Sequence, residues 1–136
     1  MKKTKNQFLI IFGASGDLTK RKLIPALFDL YQQKLLPEKF VVLGASRTKL
    51  THDAFREKAG EFLPPGKEKK DFQKMMYYLP VSPFESQDFK LLKEELETLG
   101  KEKNMEANYI FYLSTPPSVY EIISKNLSDN GMSKSD

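Results

Sequence analysis

Short apolar runs alternate with longer amphipathic stretches along this chain of 136 residues. The apolar runs are rich in aromatic and β-branched residues and are too short to be helices, which is typical of buried strands in a parallel sheet. We therefore predict four strands, at residues 7–12, 40–45, 76–81 and 108–114.

The stretches between the strands predict helices. In the first, at about 17–33, a stripe at spacings of three and four would face the sheet, with Pro25 kinking the helix inside it; the stripe consists of Leu23, Leu27, Leu30 and Tyr31. Further helices are predicted at 51–62, with Thr51 as N-cap, at 67–74 and at 119–130.

One more helix is predicted between the third and fourth strands, with Ser86 as its N-cap and Gly100 as its end. Its apolar face would consist of Phe89, Leu92, Leu96 and Leu99. The resulting β-α-β-α-β-α-β-α order predicts an α/β fold, a Rossmann-like doubly wound parallel sheet with helices on both faces. Such a domain normally continues with another strand, so we expect residues 1–136 to be one incomplete domain.

A glycine turn follows the first strand directly and leads into the first helix. Strand, glycine turn and helix together aim free backbone N–H groups at a phosphate. The spacing departs from G-x-G-x-x-G, because Ser15 occupies the position of the second glycine and Leu18 that of the third. Gly13 would permit the tight turn and Gly16 the close approach of a pyrophosphate. A tight turn that binds no ligand is the alternative interpretation.

The polar residues of this turn have separable roles. The Ser15 hydroxyl can reach a phosphate oxygen, whereas the Asp17 carboxylate would repel one and is assigned to loop shape and to the helix dipole. Lys20, Arg21 and Lys22 would add positive potential, or would simply be solvated on the helix surface.

Arg47 is the second informative residue, because it follows the second strand. NAD-binding domains usually place an acid there to hold the ribose 2′-hydroxyl, and residues 44–48 contain none. An arginine can pair with a 2′-phosphate and lie against the adenine, so the sequence favours NADP over NAD. The alternative is an ordinary surface arginine.

Several other functions are disfavoured. The hydrophobic content of 40% and charged content of 29% are ordinary for a globular protein, and the net charge of +4 is spread among glutamates, without the basic face that nucleic-acid binding needs. No cysteine is present, and no segment suits a signal peptide or a membrane span, so we expect a cytoplasmic protein. We find neither a P-loop nor a Tyr-x-x-x-Lys pair nor a metal cluster. The only histidine, His52, is predicted to be solvated on a helix rather than a base.

These residues closely resemble the NADP-binding domain of the glucose-6-phosphate dehydrogenase family. The resemblance is carried, in the family's order, by GASGDLTKRKL at residues 13–23, LLP at 35–37, GASR at 44–47 and FYLSTPP at 111–117. It covers nearly the whole chain, although residues 64–74 are nondescript.

The resemblance implies a cofactor site made of several segments. The dinucleotide would be bound by Gly13, Ala14, Ser15, Gly16, Asp17, Leu18, Thr19 and Lys20. Arg47 would take the 2′-phosphate, and the adenine side would meet Tyr78, Pro80 and Val81. Thr115 and Pro116 would lie beside the nicotinamide through their backbone groups, unless this turn is only a rigid helix entry.

The resemblance also implies the activity of a full-length enzyme. That enzyme would oxidise glucose 6-phosphate to 6-phosphoglucono-1,5-lactone with hydride transfer to NADP, the first step of the pentose phosphate pathway, and would be a homo-oligomer. The family's catalytic histidine and substrate-phosphate motifs have no counterpart here, so we expect this chain to have no catalytic residues and no activity of its own. The alternative is a stand-alone NADP-binding module that senses redox state.

Overall fold

A computed structural model describes residues 6–133, in which parallel strands form one sheet. The strands are β1 (Asn6–Phe12), β2 (Lys39–Ser46), β3 (Met76–Pro80) and β4 (Tyr109–Leu113). Their order across the sheet is β3-β2-β1-β4. The chain adds β2 and β3 on one side of β1 and then returns to place β4 on the other side. The predicted doubly wound parallel sheet is confirmed.

Helices cover both faces of this sheet. They are α1 (Ile24–Gln32), α2 (His52–Ala59), α3 (Lys67–Gln73), α4 (Ser86–Lys103) and α5 (Tyr120–Asp129). One apolar cluster lies between the sheet and α1, α2 and α3, and a second lies between the opposite face and α4 and α5. The central strand β1 contributes buried side chains to both clusters, as a continuous apolar run does in a sheet covered on both faces.

The first helix begins at Asp17, as predicted, and contains one turn of a different kind. Over Thr19–Leu23 this turn is π-helical, and the Ile24 N–H donates to the carbonyl five residues back. Pro25 is the second residue of α1 and lies just after this turn, inside the predicted helix. Of the predicted stripe, Leu27 is buried, and Leu23 and Tyr31 pack against the same cluster. Leu30 was wrongly included: it is 38% exposed, because the buried face of α1 is centred on Ile24, Phe28 and Tyr31.

Helix α4 has the predicted apolar face but different ends. The helix continues through Gly100 to Lys103, and Asn104 caps it in the left-handed region at φ 54°. The predicted end at Gly100 was wrong, because the chain folds back after Asn104 and the Met105 N–H donates to the Gly100 carbonyl at 2.8 Å. The N-cap is Glu85 rather than Ser86.

Helix α2 begins as predicted and ends three residues early. The Thr51 side chain accepts a hydrogen bond from the Ala54 N–H at 3.0 Å, which confirms it as the N-cap. The helix closes at Ala59, because Gly60 forms its C-cap against Arg56 and Lys58 instead of continuing to residue 62.

Candidate functional site

The glycine turn lies at the carboxyl end of the central strand, between the ends of β2 and β4. The Gly13 N–H donates to the Ala45 carbonyl at 2.8 Å, and the Ser114 N–H donates to the Phe12 carbonyl at 2.8 Å. These bonds hold the turn between two strand ends. This is the crevice in which open α/β sheets bind their ligands.

Only glycine fits at position 13. Its φ is +80°, and a Cβ added there would lie 2.2 Å from the Ser114 carbonyl oxygen. Any side chain would therefore strain the backbone and push the turn away from β4. The predicted tight turn thus has a packing reason of its own, independent of any ligand.

A cleft of about 510 Å³ opens above the turn. The structure brings seven of the predicted site residues to its lining, namely Gly13, Ser15, Gly16, Arg47, Val81, Thr115 and Pro116. A larger cavity of about 680 Å³ lies at the opposite end of the sheet, beside the start of β2. We take the smaller cleft as the candidate site because it lies at the carboxyl ends of the strands.

Two predicted contacts lie beneath the turn instead of lining the cleft. Ala14 is buried, and its Cβ would be 2.9 Å from a Cβ at position 44, so Gly44 leaves it room. Thr19 is fully buried, and its hydroxyl donates to the Ser114 hydroxyl at 3.3 Å. Both residues therefore brace the turn against the neighbouring strands.

Three further predicted contacts do not line the cleft. Asp17 forms an ion pair with Arg21 at 2.7 Å, one turn along the helix. Leu18 is 57% exposed, and the Lys20 ammonium lies 3.7 Å from the Glu61 carboxylate. The Asp17 side chain thus pairs along the helix surface, and its predicted role in loop shape stays a prediction.

Arg47 contributes an unpaired cation to the cleft. Its side chain is exposed, and no salt bridge within residues 6–133 includes it. The backbone N–H groups of Ala14 and Ser15 have no acceptor in the described part of the chain. A guanidinium and free amides near the same turn form an environment for an anion.

Tyr78 lies under the Arg47 loop and does not line the cleft. Its side chain points to the α2 face, with its ring 5.0 Å from that of Phe55, and its hydroxyl donates to the Thr48 carbonyl at 2.5 Å. Burial raises the pKa of the Tyr78 phenol from its ordinary value, and the hydrogen bond with Ser46 partly opposes this shift. Pro80, at the exposed end of β3, also lies outside the cleft lining.

The sequence interpretation missed several lining residues. Phe84 is 61% exposed at the cleft, and Ser46, Thr48 and Ser114 line it with hydroxyl groups. Ser46 and Thr48 flank Arg47 in the sequence, and Ser114 precedes Thr115. This adjacency to predicted site residues is the only feature of the sequence that could have identified them. The Thr115 hydroxyl oxygen is buried with no hydrogen-bond partner among the described residues.

His52 is not the solvated residue that we predicted. It is half-buried, and its Nδ1 accepts a hydrogen bond from the Tyr78 backbone N–H at 2.9 Å. The edge strand β3 leaves that N–H without a strand partner, and the imidazole supplies one. Within the described residues there is no cluster of potential metal ligands, and no helix is long and apolar enough to cross a membrane.

Comparisons with known proteins agree with the resemblance. Residues 10–136 match a family model described as the NAD-binding domain of glucose-6-phosphate dehydrogenase. The glucose-6-phosphate 1-dehydrogenase of Aggregatibacter actinomycetemcomitans is 42% identical over 98% of this chain, and that of Treponema pallidum is 41% identical over 88%. The chain covers 28% and 25% of these two proteins, about a quarter of their length.

A solved structure gives the same result for the fold. A glucose-6-phosphate dehydrogenase in complex with its substrate glucose 6-phosphate superposes with a TM-score of 0.86 at 32% identity, over 96% of this chain and 28% of that one. The relatives are named as enzymes, which gives no support to the alternative of a redox-sensing module. This chain therefore belongs to the family of glucose-6-phosphate dehydrogenase NAD-binding domains.

Proposed function

We propose that this chain binds NADP as the dinucleotide-binding part of a glucose-6-phosphate 1-dehydrogenase. The observation that carries the proposal is the Arg47 guanidinium, which follows β2 in the lining of the cleft and pairs with no carboxylate among residues 6–133. A guanidinium can hold a phosphate monoester through two parallel hydrogen bonds. None of the described lining residues is acidic, so no carboxylate there would hold the free ribose 2′-hydroxyl of NAD.

The remaining parts of the cofactor can be assigned to the other residues of the lining. The pyrophosphate would accept hydrogen bonds from the amides of the glycine turn at Ala14 and Ser15, next to Gly16, which lines the cleft without a side chain. The adenine would lie on the Arg47 side, near Val81 and the exposed Phe84 ring. The nicotinamide would lie on the β4 side, near Thr115 and Pro116.

Two observations support the fit of a dinucleotide. The cleft of about 510 Å³ is within the range of ligand pockets and is open to solvent for the rest of a large ligand. The Thr115 hydroxyl is buried and has no partner in the described part of the chain, which costs free energy in the protein alone and suits a polar group of a ligand. When bound, a nicotinamide dinucleotide supplies the hydride acceptor.

For the whole protein we propose oxidation of glucose 6-phosphate at C1, giving 6-phosphoglucono-1,5-lactone. A base must remove the hydroxyl proton in that reaction, and His52 does not line the cleft and holds the Tyr78 N–H instead. We therefore expect this chain to bind cofactor without oxidising the sugar phosphate. A cytoplasmic location and a homo-oligomeric full-length protein stay predictions.

The test is a calorimetric titration of the chain with NADP and with NAD. We expect tighter binding of NADP, and we expect Arg47→Ala to weaken it by about 10- to 150-fold, the value of a hydrogen bond to a charged group. Binding of NAD should change little. Lys20→Ala is the matched control, because that cation pairs with Glu61 outside the cleft. Equal affinity for the two cofactors, or equal effects of the two substitutions, would contradict the proposal.

A further inference from the structure

We infer that Tyr78 is a positioning residue that sets the preference of this site for a 2′-phosphorylated cofactor by fixing the backbone of Arg47. The inference rests on the proposed function, because it gives Arg47 the 2′-phosphate. Tyr78 is 3% exposed and does not line the cleft, so it acts through another residue.

The Tyr78 hydroxyl reaches the main chain on both sides of Arg47. Its oxygen lies 2.5 Å from the Thr48 carbonyl oxygen and 3.2 Å from the Ser46 carbonyl oxygen. The ring is held below by Phe55, at 5.0 Å between ring centroids. A rigid side chain anchored in the core thus lies against the carbonyl groups one residue before and one residue after Arg47, and donates its proton to that of Thr48.

The same hydroxyl also joins the Arg47 loop to the glycine turn. It lies 2.5 Å from Ser46 Oγ, and Ser46 Oγ lies 2.9 Å from Ser15 Oγ. Ser15 Oγ lies in turn 3.2 Å from Thr48 Oγ1. The chain of hydroxyls sets the separation between the residue proposed to bind the 2′-phosphate and the turn proposed to bind the pyrophosphate.

Fixing this backbone should affect one cofactor more than the other. Arg47, Thr48 and Lys49 are all exposed, so the loop has little packing of its own to order it. Ordering a loop before binding removes an entropic cost that would otherwise reduce affinity. NADP and NAD differ only in the 2′-phosphate, so a loss of order at Arg47 weakens NADP binding selectively.

The decisive variant is Tyr78→Phe, which removes only the hydroxyl and keeps the ring against Phe55. We expect its affinity for NADP to fall about three- to tenfold, with less than about a twofold change for NAD, as for the loss of neutral hydrogen bonds. Tyr77→Phe is the matched control, because Tyr77 packs against His52 and the opposite cluster. In an Arg47→Ala background, Tyr78→Phe should have no further effect on NADP affinity.

The outcomes separate this inference from the proposed function. If Tyr78→Phe weakened the binding of NADP and NAD equally, or weakened NADP binding by the same factor in the Arg47→Ala background, Tyr78 would have a general structural role and the inference would be overturned. If the wild-type chain prefers NADP and Tyr78→Phe keeps the same preference, the inference alone is overturned. If the wild-type chain shows no preference, both the inference and the proposed function are overturned. Ser46→Ala interrupts the same chain of hydroxyls from the Arg47 loop. It should also reduce the preference for NADP over NAD, and it is the substitute test if Tyr78→Phe does not fold.

Discussion

Thr115, which follows β4, and Thr19, in the π-helical turn before α1, both have buried hydroxyls, which differ in one respect. The Thr19 hydroxyl donates to Ser114, whereas the Thr115 hydroxyl has no partner in the described chain. We therefore expect Thr115→Val to maintain the free energy of unfolding or to raise it by up to about 1–2 kcal/mol, because a buried unsatisfied group is removed. Thr19→Val should lower it by about 1 kcal/mol.

Chemical denaturation measures both values, and cofactor titration supplies the functional side of the comparison. If the Thr115 hydroxyl is retained for a ligand, Thr115→Val should bind NADP more weakly although the protein is no less stable. A loss of stability as large as that of Thr19→Val would show that the hydroxyl is satisfied in solution and would contradict the prediction.

Among single residues, the sequence correctly placed those whose position is determined by the backbone. Gly13 and Arg47 lie where the motifs indicated, since a turn after a strand and the end of the next strand can be recognised from chain order alone. Lys20 and Leu18 were predicted to be contacts and lie outside the cleft lining. Chain order alone does not determine which way a helical side chain points: Lys20 pairs with Glu61, and Leu18 is exposed on the helix.

Among the elements, α1 ends at a residue in a strained conformation. Lys34 has φ 59°, and the bonds from its N–H to Tyr31 and from the Leu35 N–H to Leu30 require that conformation. A residue with a Cβ is disfavoured there, so Lys34→Gly should raise the free energy of unfolding by about 1 kcal/mol and the melting temperature by about 4 °C.

The neighbouring Gln33 gives the matched control for that substitution. Its φ of −81° lies in the ordinary helical region, so Gln33→Gly should lower the free energy of unfolding by about 0.5–1 kcal/mol. Thermal unfolding followed by circular dichroism measures both. If Lys34→Gly destabilises the protein as Gln33→Gly does, a contact of the lysine side chain outweighs the backbone strain.

The elements themselves were predictable where one signal dominated. The apolar runs predicted every strand of the described sheet, and Thr51 predicted the start of α2. The C-terminal end of α4 was not predictable, because local preference makes Gly100 a helix terminator although the helix continues to Lys103. In the fold its missing Cβ makes room for the Met105 carbonyl, 3.1 Å from where a Cβ would lie, which is a tertiary contact invisible in the local sequence.

In the whole molecule, one face of the edge strand β4 is exposed. β4 pairs with β1 on one side, and the described residues supply no strand on its other side. Its alternate residues Ile110 and Tyr112 are 53% and 41% exposed, whereas the intervening side chains pack against the cluster under α4 and α5. A free edge beside exposed apolar side chains is a template for pairing with another strand.

We therefore expect this chain to self-associate through β4 at concentrations of about micromolar to millimolar. Ile110→Lys should shift sedimentation velocity profiles towards the monomer, because a charged side chain on an edge strand opposes pairing. Leu91→Lys is the matched control, since Leu91 is 45% exposed on helix α4, away from the sheet edge. Equal reduction of self-association by both substitutions would indicate nonspecific apolar contact, and a wild-type chain that is monomeric throughout that range would contradict the prediction.

Self-association through β4 would also affect the cofactor titrations, because β4 leads directly into Thr115 and Pro116 in the lining of the cleft. A variant that stays monomeric is therefore the preparation in which cofactor binding can be measured without competition from pairing at β4.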